Sequence, residues 1–201
     1  MRTCRRRHVR DCPDFAYFSR LGRVYPGRRG LVETEDDRTD MQVVNYEELV
    51  KECRGLLTDE RDMLVNAANF AAFVFQNLPA INWAGFYLHD GVELVLGPFQ
   101  GKPACTRIQN GKGVCGTAYA RAESIVVEDV HSFAGHIACD PDSRSEVVIP
   151  LRNGDQVYGV FDVDSPLPAR FSDADRAGLE KLVAVFESST QFRSLFSRDT
   201  V

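Results

Sequence analysis

Cys105, Cys115 and Cys139 follow one another closely, in ACTR, GVCG and IACD, each bordered by Gly or Ala as in loops. Three carboxylates lie just beyond them, Glu146, Asp162 and Asp164. Thiolates attack electrophilic atoms or trade disulfides, and carboxyl groups move protons or hold cations. Asp162 and Asp164 stand two apart in FDVDS, so on a strand they share a face. Carboxylates crowded into one pocket repel one another, so at least one keeps its proton near neutral pH. The others stay anionic and can hold an ammonium group. Trp83 and Tyr87, four apart in NWAGFYL with Gly85 between them, fall on one side of a strand. Such an aromatic wall suits a methyl or sulfur group. A solvated sheet face and simple core packing are the ordinary uses of the same residues.

The cysteines admit three readings: redox catalysis, a zinc site formed by Cys105, Cys115, Cys139 and His136, or small side chains filling tight turns. The zinc reading suffers from the lack of a CxxC pair. The packing reading suffers from the loop surroundings of all three. Cys53 lies on an amphipathic helical pattern and is expected to be inert core.

The elements that must position these residues can be read from periodicity. Residues 45–57 and 59–77 show helical spacing, and Pro79 ends the second run. INWAGFYLHDG is a buried strand, with Asp90-Gly91 as a hairpin signal and VELVLGPFQG as the returning partner. A short strand is expected near 106–108, then a Gly-rich loop from Asn110 to Gly116 that feeds a helix over 117–121. Strands follow at 124–130, 146–151 and 157–165, the last two joined by the Asn153-Gly154-Asp155 turn. The polar loop 131–145 is long enough to suggest function. Ser172 and Asp175 form a capping box for the last helix. The class is α/β in the α+β sense: a largely antiparallel sheet with the N- and C-terminal helices packed together on one face.

The chain has 201 residues, 44% hydrophobic and 26% charged, which is the composition of a water-soluble domain. No apolar run reaches the ~20 residues of a membrane span. A net charge of −5 argues against nucleic acid as partner. The first 30 residues hold nine Arg against Asp11 and Asp14, a balance of +7, which leaves −12 on the rest. Residues 1–40 are therefore read as a disordered or processed extension, and 41–195 as the domain. Six cysteines without a secretory leader indicate a reducing compartment: the cytoplasm, or the mitochondrion if the extension is a presequence.

From about residue 44 to 190 the sequence resembles the free methionine-(R)-sulfoxide reductases, single-domain proteins of GAF fold. The motifs that carry the resemblance are NWAGFYL (82–88), LGPFQGKPACTRI (96–108), GKGVCGTA (111–118), EDVHSFAGHIACD (128–140), SRSEVVIPL (143–151) and GVFDVDSP (159–166). The resemblance implies reduction of the free amino acid and a homodimer built on the terminal helices. It implies that Cys139 attacks, Cys105 resolves and Cys115 assists, with Trp83, Tyr87, Glu146, Asp162 and Asp164 forming the substrate pocket. A sulfoxide sulfur becomes electrophilic when its oxygen is protonated, which an acid of raised pKa can do. The expected sequel is a sulfenic acid on Cys139, a Cys105–Cys139 disulfide and recycling by thioredoxin, with no metal or organic cofactor. A GAF ligand sensor and a thiol redox switch are the alternatives.

Overall fold

The structure is a computed structural model, and it describes residues 44–133, 135 and 140–192. Residues 1–40 lie outside this range, as does Cys139.

Two helices open the domain. Helix α1 (Tyr46–Leu56) starts on Asn45, whose side chain accepts from Glu48 N, with Glu47 and Glu48 in its first turn and Arg54 in its last. Those charges complement the helix dipole. Helix α2 (Met63–Asn77) starts four residues later than its periodicity suggests. Glu60 Oε1 accepts from both Arg61 N and Asp62 N at 2.7 Å. Asp62 then caps Leu64 N and Val65 N, so the preceding turn stays outside the helix.

Strands β1 (Trp83–His89), β2 (Leu94–Gly101), β3 (Arg107–Ile108), β4 (Ile125–Val127), β5 (Ser145–Asn153) and β6 (Gln156–Ser165) form one sheet. Its order is β3-β2-β1-β6-β5-β4, and all neighbours are antiparallel. The β1–β2 hairpin closes where Asp90 N donates to Glu93 O, while Asp90 Oδ1 accepts from Val92 N and Glu93 N. Helix α3 (Gly113–Arg121) separates β3 from β4, and helix α4 (Asp173–Ser189) follows β6. The Ser172–Asp175 capping box is present.

The period of two along each strand sorts the side chains onto two faces. Ala84, Phe86, Leu88, Val147, Ile149, Phe161 and Val163 point into a core shared with α1, α2 and α4. Helix α1 lies on α4 at close range, because Gly178 sits under the Tyr46 ring; a Cβ there would come within 2.1 Å of it. Tyr46 OH donates to Asp175 Oδ1 at 2.8 Å across that contact. The opposite face, under α3, carries Trp83, Tyr87, Val148 and Val160. Among the described residues no helix is long and apolar enough to cross a membrane.

Helix α3 differs from the sequence expectation. It begins at Gly113 rather than Thr117, so Cys115 stands in its first turn and not in a loop. The GKG sequence makes the tight entry, with Gly111 at φ 77° and Gly113 at φ 59°, backbone that favours glycine. The strand expected over 124–130 is also shorter, since Asp129 caps a 3₁₀ turn at Val130–Ser132.

Candidate active site

Sheet register brings the carboxylates together. Trp83 pairs with Asp164 across β1 and β6, and Asp164 pairs with Glu146 across β6 and β5. One row over three strands thus holds Trp83, Asp164 and Glu146 on one face. The next row holds Gly85, Asp162 and Val148. Helix α3 closes over these rows and delivers Cys115 to the acids. Sγ of Cys115 donates to Glu146 Oε1 at 3.7 Å, with both residues buried. Ligand atoms of Cys115, Glu146 and Asp162 all lie within 4.8 Å of one another.

Burial decides the charge state of this cluster. Loss of water pushes the Asp162 carboxyl up to about 7, against hydrogen bonds from Cys115, Glu146 and the Val163 backbone that favour its anion. Glu146 is pushed well above the usual carboxylate range, by burial first and then by the charges of Asp162 and Asp164. Asp164 moves the same way, by burial and then by Asp162 and Asp140. The Cys115 thiol is also pushed well up, by burial and then by Asp162 and Glu146. At neutral pH this site therefore stores protons, and Cys115 is a thiol rather than a thiolate nucleophile. Oδ1 of Asp162 is buried and, among the described residues, has no hydrogen-bond partner.

The aromatic wall stands beside the acids on the same face. The Trp83 and Tyr87 rings stack at 5.9 Å between centroids, and Trp83 stacks on Phe99 at 5.4 Å. Gly85 permits this, because a Cβ there would sit 2.4 Å from Phe99 Cβ and 2.6 Å from Trp83 Cη2. The polar ends of both rings are satisfied by one backbone segment: Trp83 Nε1 donates to Lys102 O at 3.1 Å and Tyr87 OH to Cys105 O at 3.0 Å. Walls and acids together line a cavity of about 40 Å³.

The structure therefore unites six of the eight residues singled out in the sequence: Trp83, Tyr87, Cys115, Glu146, Asp162 and Asp164. Cys105 lies on the segment that both aromatics hold, and it is disulfide-bonded, whereas Cys53 and Cys115 are free. Cys139 and His136 lie outside the described residues. Of the suggested zinc ligands, Cys115 is gathered with carboxylates, and one thiol with two carboxylates is close enough to hold a cation. Three polar residues were not singled out by sequence. Asp140 and Ser143 line the cavity, and Asn82 Nδ2 donates to Asp140 Oδ2 at 3.2 Å and Ser143 Oγ at 3.0 Å. Their positions beside Trp83 and just after Cys139 were the available signal.

Residues 47–189 match the model of the GAF domain family. Free methionine-R-sulfoxide reductase of Escherichia coli is 48% identical over 155 residues, 76% of this chain and 94% of the relative. The chain belongs to the free methionine-R-sulfoxide reductase family. Its reductase-type GAF fold is shared with the Neisseria meningitidis reductase solved in complex with its substrate, at 42% identity and a TM-score of 0.69 over 72% of this chain and 87% of that one. A proposed GAF sensor protein from Burkholderia vietnamiensis is 55% identical, with a TM-score of 0.70 over 72% and 92% of the two chains.

Proposed function

We propose that this reductase-family protein converts free L-methionine-(R)-sulfoxide to L-methionine, using thiols alone. The observation that carries the reading is a proton-storing acid cluster, with Glu146 and Asp162 buried and Asp164 half-buried, beside a stacked aromatic wall. The S-methyl end lies against Trp83 and Tyr87. Asp162, the acid that ionises most readily, holds the substrate ammonium through Oδ1, which has no partner among the described residues. Glu146 or Asp164, held protonated by burial, gives its proton to the sulfoxide oxygen. The Cys139 thiolate attacks the protonated sulfoxide sulfur, the hydroxyl passes to the Cys139 sulfur as the S–S bond between them breaks, and methionine leaves with Cys139 as a sulfenic acid. Attack by Cys105 forms the disulfide and releases water. The disulfide-bonded state of Cys105 supports this order, and the high pKa of Cys115 supports an auxiliary role for it.

A peptide bond removes the ammonium charge, so a residue within a polypeptide forfeits the Asp162 contact. Thioredoxin is the proposed reductant, residues 41–195 the proposed catalytic unit and a homodimer the proposed assembly. Exposed Leu64 and Val65 on α2 offer apolar surface for the last.

The test is methionine release from resolved R and S free sulfoxides, first with dithiothreitol and then with thioredoxin. Release from R alone, with N-acetylated substrate rejected, is expected. No release with either reductant would leave a GAF ligand sensor or redox switch as the better account.

A further inference from the structure

Disulfide formation sets a geometric demand that the acid cluster does not meet. A second thiol must reach the oxidised sulfur quickly, so two separate stretches of chain must be held together. The structure contains such a hold. Lys102 Nζ pairs with Asp140 Oδ1 at 3.3 Å and also with Asp142. The Asp140 side chain is only 6% exposed, and its carboxylate is fully engaged. Oδ1 also accepts from Asp142 N at 3.0 Å, and Oδ2 accepts from Asn82 Nδ2. At the other end, the Lys102 and Cys105 carbonyls accept from Trp83 and Tyr87. The 102–105 segment is thus fixed by its backbone to the aromatic wall and by its one cation to a buried acid. That acid is the residue next to Cys139 in the chain. The arrangement coexists with a disulfide-bonded Cys105.

We propose that Lys102 is a positioning residue for the thiol–disulfide step, its ion pair holding the chain of Cys105 to Asp140, the sequence neighbour of Cys139. The inference rests on the roles given above to those two cysteines. In the step it assists, Cys105 sulfur attacks the sulfenic sulfur of Cys139. The S–S bond forms, the S–O bond breaks, and hydroxide leaves with a proton as water. Lys102 touches neither sulfur in this scheme. It raises the local concentration of one thiol at the other. Its own side chain is 59% exposed, so solvent moderates the pair and the expected effect is partial.

The test uses full-length, fully reduced Lys102→Met, which keeps the aliphatic stem and removes the charge. Hydrogen peroxide supplies the sulfenic acid without any sulfoxide, and closure is followed by loss of titratable thiols. Closure is expected to slow roughly two- to fivefold, as loss of a partly exposed ion pair allows. More dimedone adduct should accumulate on Cys139. Single-turnover methionine release should stay within about twofold, since Lys102 does not itself line the cavity and its charge is screened by solvent. Lys102→Arg should restore closure. Closure at the wild-type rate would overturn the proposal, as would arginine failing where methionine fails or methionine release falling in step with closure. A wild-type chain that forms no Cys105–Cys139 disulfide under peroxide would also overturn it. A wild type that closes under peroxide yet releases no methionine would instead remove the reductase reading and leave the positioning role standing.

Discussion

The two faces of the central sheet use the same strands for opposite ends. On the face covered by α1, α2 and α4, Phe161 lies 4.8 Å from Phe86 and 4.9 Å from Phe70, ring to ring, and all three are fully buried. On the other face, the alternate residues of the same strand are Asp162 and Asp164. The first face gains free energy by leaving water, and the second loses some, because its carboxyls are held where their charged forms are disfavoured. The comparison teaches that one strand can stabilise the fold with its odd residues and store protons with its even ones.

Three substitutions sharpen that contrast. The largest effect is expected from Cys139→Ser, which should abolish turnover because a hydroxyl is a far weaker nucleophile at neutral pH. Circular dichroism and melting should show an intact fold, and retained turnover would move the nucleophile elsewhere. Phe161→Ala should cost about 3–5 kcal/mol of stability in urea unfolding, the usual range for emptying a packed aromatic site. A loss below about 1 kcal/mol would mean that this face tolerates substitution as a surface does.

The smallest effect, opposite in sign, is expected from Asp162→Asn. The folded-state pKa of Asp162 is raised from 3.8 to about 7, so the folded protein binds the proton more tightly than the unfolded chain. Its contribution to stability is therefore best below about pH 4, is lost as pH rises through 7, and stays lost above. The variant should match the wild type near pH 4 and melt a few degrees higher at pH 8, at roughly 2–4 °C per kcal/mol. Its activity on free sulfoxide should fall at both. A variant less stable than wild type at pH 8 would remove the idea that this face carries an electrostatic cost.

Much of this was legible beforehand where the signal is local. The alternation in GVFDVDS placed both aspartates on one face, and Ser172 with Asp175 marked the start of α4, because pleat and cap are properties of a few neighbouring residues. The start of α2 was misjudged, since Glu60 and Asp62 look helix-compatible by type but use their carboxylates on backbone N–H groups ahead of the helix. Cys115 was placed in a loop, since Gly-rich sequence reads as irregular until the turn at Gly111 and Gly113 is seen to launch a helix. The Lys102–Asp140 pair is invisible in the sequence, because an ion pair 38 residues apart leaves no periodic trace.

By itself, then, the sequence determined which residue types were available, which of them share a strand face, and which family's motifs they spell. Only the tertiary structure decided that Glu146 and Asp164 are cross-strand neighbours, that Cys115 descends onto them from α3, and that Asp162 Oδ1 is buried without a partner among the described residues. The reason is physical: strand pairing and desolvation are imposed by segments distant in the chain. A carboxyl group's proton affinity depends on what surrounds it, not on what precedes it.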